Sequence, residues 1–283
     1  MVSLGPLSSK RYCTYSCPFC YVSSGFPSYV SMPTKEIVRW LRTKRTEFDI
    51  IYLSGDTDSL APPRQSEGLR LLEALSEFGV DLLFTTRAII SPEGLKRLEA
   101  LREQLAAGGK LLFGCVSVAQ WTVPHVEPRP IPLPQLRLDQ LRHFRDIGLV
   151  SVLAMRPFLP NVPRSDYSAI LDNSHAFVDV VLGEVWYVDE DLNILRRTLG
   201  ESGDSEFELA SHSMDFDGND KKWLVYHARD TESLVASACR RFRLPFFMRS
   251  APAINWARSR RSKTADGAYS SAEWKDGAGG STG

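Results

Sequence analysis

Short apolar runs, rich in β-branched and aromatic residues, recur through the first two-thirds of the chain, and most are followed by a stretch with helical spacing of apolar residues. The runs are nearly continuous rather than alternating, as strands covered on both faces read. Glycines punctuate several of the changeovers. Six such units predict an α/β fold. Its form is a partial, open (β/α)6 barrel of the TIM type over residues 1–200, with a small C-terminal extension over 201–258 packing on it and a disordered tail over 259–283.

In chain order, Pro33 leads into Ile37, Val38, Trp40 and Leu41, a first helix entered through proline. Residues 48–54 make a strand closed by Gly55. A helix through Leu69, Leu71, Leu72, Leu75 and Phe78 stops at Gly79. Residues 80–86 are the next strand, and Ser91-Pro-Glu-Gly opens a capped helix. Residues 111–118 form the fourth strand; the proline-rich stretch 124–134 is then expected to be extended and surface-lying. Leu136, Leu138, Leu141, Phe144 and Ile147 form a helix ended by Gly148. A strand over 150–156, a helix over 167–177 and a strand over 178–185 complete the barrel. Residues 199–220 turn acidic and Gly/Ser-rich, as a linker or lid would. Residues 223–226 read as a strand, 231–242 as a helix and 244–248 as an apolar segment, together making the extension. From Ser259 onward the composition is that of a disordered tail.

The 283 residues are 43% hydrophobic and 24% charged, ordinary for a soluble enzyme. Lys plus Arg equals Asp plus Glu at 34 each, so no overall field attracts polyanions. That disfavours a nucleic-acid partner, although a local basic groove would still allow one. No apolar run is long enough to cross a bilayer and the first residues do not read as a signal peptide, so a cytoplasmic protein without a membrane partner is expected.

Three of the five cysteines, Cys13, Cys17 and Cys20, fall within one stretch of eight residues, leaving Cys115 and Cys239 elsewhere. This is no secreted disulfide framework; it fits a reducing compartment. Clustered soft thiolates suit an iron–sulfur cluster or zinc. Three ligands leave one iron of a [4Fe–4S] cluster without a protein ligand, whereas zinc would need a fourth ligand from elsewhere.

Cys13-x3-Cys17-x2-Cys20, with Phe19 before the last cysteine, resembles the signature of the radical S-adenosylmethionine (radical SAM) superfamily. The resemblance implies the same partial barrel, a [4Fe–4S] cluster on the three cysteines, and S-adenosylmethionine chelated at the open iron. It also implies reductive cleavage to a 5′-deoxyadenosyl radical, fed by an electron donor such as flavodoxin or ferredoxin.

Functional side chains of a parallel barrel gather at the carboxyl ends of its strands, and four stretches qualify. Ser54-Gly55-Asp56-Thr57-Asp58 offers a glycine for close backbone approach, with hydroxyls and carboxylates; the alternative is an Asx-turn. Relatives commonly have Gly-Gly-Glu there, binding the amino group of the cofactor. The departure here resembles the spore photoproduct lyase-like branch and leaves the contacting group open. Thr85, Thr86 and Arg87 suit a ribose or a carboxylate, against a reading as strand threonines and a solvated arginine. Ser117 matches in role a polar residue that contacts the cofactor in relatives. Arg156, ending an apolar strand, is the preferred clamp for the methionyl carboxylate, since such a charge needs a partner.

Strand alternation puts Cys115 on the face of Ser117. It is either a hydrogen-atom donor, the role a cysteine plays in spore photoproduct lyase, or a small buried hydrophobe. Cys239 reads as core, His125 as an exposed loop histidine, Tyr12, Tyr15 and Tyr21 as flanks of the cysteine loop, and Glu184 as a strand-end residue facing cofactor or substrate. Neither a second cysteine cluster nor an extra N-terminal domain is found, so auxiliary-cluster and cobalamin modules are not expected. A small-molecule substrate (a nucleoside, sugar or amino-acid derivative) is preferred. A nucleic-acid lyase or repair enzyme is the alternative, and a non-catalytic metal-binding protein the second.

Overall fold

Apolar runs become parallel strands here because both faces of each are covered. The computed structural model describes residues 2–4, 13–22, 32–55, 57–200, 208–212 and 222–261. The sheet holds β1 (Val2–Leu4), for which no position was expected from sequence, and the five strands expected at stated positions: β2 (Ile50–Leu53), β3 (Asp81–Thr86), β4 (Leu112–Ser117), β5 (Val150–Met155) and β6 (Val180–Gly183). They lie side by side in chain order, and a short strand near the C-terminus, β10 (Phe246–Phe247), joins beyond β6 to make an open seven-stranded sheet. Every recorded pairing in it is parallel.

The outer face packs under α1 (Thr34–Thr43), α2 (Gln65–Leu75), α3 (Pro92–Ala107), α4 (Pro134–Asp146) and α5 (Arg164–Ser174). Ser91 caps α3 by accepting from the Gly94 amide at 3.1 Å. Gly79 (φ +55°) and Gly148 (φ +81°) turn the chain from helix to strand in a conformation open to glycine at little cost. Alternation sends Leu53, Leu82, Phe84, Val116 and Leu153 outward against the helices. Tyr52, Leu83, Phe113, Cys115, Val152 and Leu182 point to the concave side. That side is filled by Ala253, Ile254 and Ala257 of the last helix, α8 (Ser250–Arg261). The C-terminal segment therefore both extends the sheet edge and fills its concavity.

A second sheet has antiparallel strands in the order β7–β9–β8: β7 (Trp186–Asp189), β9 (Trp223–Tyr226) and β8 (Leu209–His212). The sixth strand, expected to run to residue 185, ends at Gly183, and the chain re-enters a strand three residues later in this other sheet. The linker or lid expected over 199–220 contains β8; its residues 201–207 and 213–220 lie outside the described residues. A short helix, α6 (Asn193–Leu199), was not expected, and α7 (Arg229–Arg241) was. The proline-rich stretch is surface-lying only in part: Pro124, His125, Arg129, Pro130 and Leu133 are exposed, while Val126, Glu127 and Ile131 are buried, Glu127 pairing with two arginines beneath it. The expected tail begins inside α8, which runs to Arg261, and residues 262–283 lie outside the described residues. Among the described residues no helix is long and apolar enough to cross a membrane.

If α8 fills the concavity as a packed plug, Ile254→Ala should lower unfolding free energy by roughly 2–5 kcal/mol, the usual cost of emptying such a site. Urea denaturation of the two proteins measures this, and an unchanged midpoint would mean that the helix is not part of the core.

Candidate functional site

One pocket at the carboxyl ends of the strands is lined by Cys13, Cys17 and Cys20 together with Ser54, Gly55, Asp58, Thr85, Ser117 and Arg156. Nine of the twelve sequence-derived site residues thus meet in one place, contributed by the cysteine loop and the ends of β2, β3, β4 and β5. Asp56 and Tyr12 lie outside the described residues. Thr86 and Cys115 are buried and do not line the pocket. His125 is exposed and away from it, Cys239 is core, and Tyr15, Tyr21 and Glu184 line it.

The cysteine loop is short and turns on itself, the Cys20 amide donating to the Cys17 carbonyl at 3.1 Å. Elements far along the chain hold its backbone. Trp186 Nε1 donates to the Phe19 carbonyl at 3.2 Å, and Arg197 donates to the carbonyls of Pro18 (2.6 Å) and Cys20 (2.9 Å). Tyr21 packs edge-on against Tyr187 and Trp223, with ring centroids 5.6 and 6.0 Å apart. Burial pushes the Cys17 thiol up to about 12 and raises Cys13 as well; for Cys17 the Arg87 guanidinium is the chief opposing influence. A metal would displace these protons, since the thiolate is the ligand form. Among the described residues no group of three or more His, Cys, Asp or Glu side chains converges as ligands of a single ion. In a cluster each cysteine ligates a different iron, so such convergence is not required.

Polar groups floor the pocket. Ser54 sits at φ +66°, uncommon for a residue with a Cβ, and its hydroxyl accepts from the Ser59 amide at 2.9 Å. The Asp58 carboxylate accepts from the Thr86 hydroxyl (2.9 Å), the Arg87 amide (2.6 Å) and the Leu60 amide (3.1 Å). Thr86 therefore supports Asp58 from below the pocket. The Tyr52 and Thr85 hydroxyls are 2.7 Å apart, and Arg156 donates to Tyr52 at 2.7 Å. Cys115 pairs in register with Thr85 and shares a hydrogen bond with it, one layer below the pocket, where burial raises its thiol.

Two buried hydroxyls on the pocket wall, Thr57 Oγ1 and Ser117 Oγ, have no hydrogen-bond partner among the described residues. Buried polar groups are seldom left so. A polar ligand in the pocket can satisfy both, and the donor set of three thiols fits an iron–sulfur cluster.

Sequence reasoning took Arg87 for a ribose or carboxylate ligand or a solvated charge. Its guanidinium instead lies over the Phe19 ring, 5.6 Å from the centroid, and pairs with Glu127 at 2.9 Å. Glu127 also takes a two-point contact from Arg137 (3.0 and 2.6 Å), and Arg137 donates to the Ser117 carbonyl. The side chains of Glu127 and Arg137 are 0% exposed and that of Arg87 is 19%. The two arginines hold Glu127 below the usual carboxylate range against the opposing cost of its burial. Glu127, Arg137, Trp186 and Arg197 were missed, and Thr57 was included only as part of the stretch 54–58. Pairing of Glu127 with Arg137, ten residues on, could have been suspected from the charge, but the others depend on tertiary contacts.

Burial raises the Asp58 carboxyl above its ordinary value despite the donors around it. A raised folded-state pKa means the native state holds the proton longer, so this residue's contribution falls as pH rises from about 3.9 through the folded value. The stability of the wild type relative to Asp58→Asn should therefore decline with pH across that window and then level off. Urea unfolding of both proteins from about pH 3 upward measures it; a difference that grows with pH would contradict the burial cost.

The family model described as the radical SAM superfamily matches residues 7–172, more than half of the chain. A variant of spore photoproduct lyase superposes with a TM-score of 0.62 at 12% identity, covering 83% of this chain and 73% of that one. Another variant of that enzyme, with bound S-adenosylmethionine (AdoMet) and dinucleoside spore photoproduct, gives 0.61 at 12% with the same coverage. SuiB of Streptococcus suis bound to S-adenosylmethionine gives 0.57 at 14%, covering 88% of this chain and 50% of that one. At such identities the likeness is one of fold. No curated protein matches the chain. The cysteine spacing, the open parallel sheet and the extent of the family match agree: this chain belongs to the radical SAM superfamily of enzymes.

Proposed function

We propose that the protein is a cytoplasmic radical SAM enzyme acting on a small molecule, with Cys13, Cys17 and Cys20 holding a [4Fe–4S] cluster and the adjoining pocket holding S-adenosylmethionine. The bound pair supplies one-electron cleavage of the sulfonium to methionine and a 5′-deoxyadenosyl radical, which takes a hydrogen atom from the substrate. The protein contributes position and exclusion of water. The observation that carries the reading is the meeting of all three cysteines with five strand-end polar residues, Ser54, Asp58, Thr85, Ser117 and Arg156, in one pocket.

Thr57 and Ser117 donate their unpartnered hydroxyls to the cofactor. Arg156 is the clamp for the methionyl carboxylate, pre-set by its bond to Tyr52. Asp58 and Thr86 act by fixing the backbone between the ends of β2 and β3. Trp186 and Tyr187 wall the pocket, and the substrate of this reading is a small nucleoside, sugar or amino-acid derivative. An electron donor such as flavodoxin or ferredoxin would reduce the cluster.

Anaerobic reconstitution tests this. The wild type should hold four irons and release deoxyadenosine from S-adenosylmethionine under strong reductant, and Cys17→Ala should lose both. Iron-free, zinc-loaded protein would refute the reading. Ser117→Ala should keep the cluster and weaken cofactor binding roughly two- to tenfold, the usual worth of one neutral hydrogen bond. DNA binding that weakens steeply with salt would instead support a nucleic-acid substrate.

A further inference from the structure

We propose that Arg87 is a charge-setting residue of the cysteine loop: its guanidinium, pinned by buried Glu127, fixes the one-electron potential of the cluster. The inference rests on the cluster reading above and concerns the potential alone, not the grip on the cofactor.

Arg87 lines the pocket with the three cysteines and stacks over Phe19, the residue before the last of them. Arginine stays charged at any working pH, so the charge is permanent. Glu127 cannot move to water, because its side chain has no exposure and Arg137 holds it from the other side. A long cationic side chain is thereby held in one orientation. The triad carries one net positive charge, nearest the thiols on the Arg87 side. A cluster gains one negative charge on reduction, and net charge nearby is one of the determinants of its potential. A fixed cation in this low-dielectric setting favours the reduced state; the carboxylate behind it opposes that from farther away.

The two charges make predictions of opposite sign. In reconstituted protein without S-adenosylmethionine, the midpoint of the cluster is read by dithionite titration followed by electron paramagnetic resonance. Arg87→Met should shift the one-electron equilibrium at least tenfold toward the oxidised cluster, 59 mV more negative. Glu127→Gln, which keeps an acceptor for both arginines but removes the negative charge, should move the midpoint positive. Arg87→Lys should restore it toward the wild type.

Simple loosening of the loop would admit water and raise the midpoint in both variants, so a positive shift in Arg87→Met overturns the proposal. A residue that only grips the cofactor leaves the cofactor-free midpoint unmoved, which also overturns it. Should Arg87→Met assemble no cluster, Arg87→Gln takes its place: a negative shift supports the proposal, and an unmoved or positive midpoint refutes it. Failure of the wild type to take up iron would strike the cluster reading itself, a distinguishable outcome.

Discussion

A carboxylate with no access to water holds the carboxyl end of this barrel together. Glu127 lies under a proline-rich loop and pairs with Arg87 at the end of β3 and Arg137 on α4, which in turn binds the last carbonyl of β4. Isolated, any of these charges would be very costly to bury; together they satisfy one another. The geometry is demanding, because each group must be where its partner needs it. Two strand ends, a loop and a helix are thereby held in fixed relation on the side where the cysteines sit. Burying such a network is weak evidence of stability and better evidence of specified position.

Above this network the site is layered. The concave face of the sheet is largely apolar up to the layer of Leu83 and Phe113; it turns polar at Thr85, level with Cys115, where the Tyr52 hydroxyl and Arg156 meet it, and then opens into the pocket. The order follows from strand alternation, which returns a residue to the same face every second position: Cys115 then Ser117 on β4, Tyr52 then Ser54 leaving β2. The same alternation separates thiol from pocket. Cys115 is on the pocket's face of the strand but one layer down, bonded to Thr85, so facing the lumen is not the same as reaching it.

Five of the six strands, β2 to β6, could be read from sequence because each is a largely apolar run bounded by glycine or a helix start, whereas Val2–Leu4 is too short to stand out. The cysteine spacing identified the superfamily, and strand-end position found most of the pocket. What escaped was set by partners distant in sequence. Strand β10 is two residues long, and only its pairing with β6 makes it a strand. Strand β8 lies in an acidic, glycine-rich stretch and is mostly exposed; β9 alone orders it. Arg87 could be read as a ligand or as solvated, but not as paired, because its counter-charge sits forty residues later, in a loop whose prolines suggested the surface. Thr57 stood in a stretch marked for its hydroxyls, but that its own is unpartnered is visible only once its surroundings are packed.

The antiparallel sheet gives the cysteine loop something the barrel alone does not supply. The hydrogen bonds from Trp186 and Arg197 span 167 to 179 residues of chain and end on carbonyls inside the cysteine loop. Carbonyls so engaged fix the direction of the intervening peptide units, and hence of the side chains between them. The loop has little regular structure of its own, so its shape is borrowed from β7 and α6, which form late in the chain. The barrel supplies the floor, with its hydroxyls and charges, while the later sheet supplies the frame that presents the thiols to it. Metal affinity and packing of the antiparallel sheet are therefore coupled, because ligands bind best when already positioned and a bound cluster would in turn hold the frame in place. Removing either should weaken the other, although no ligand belongs to the sheet.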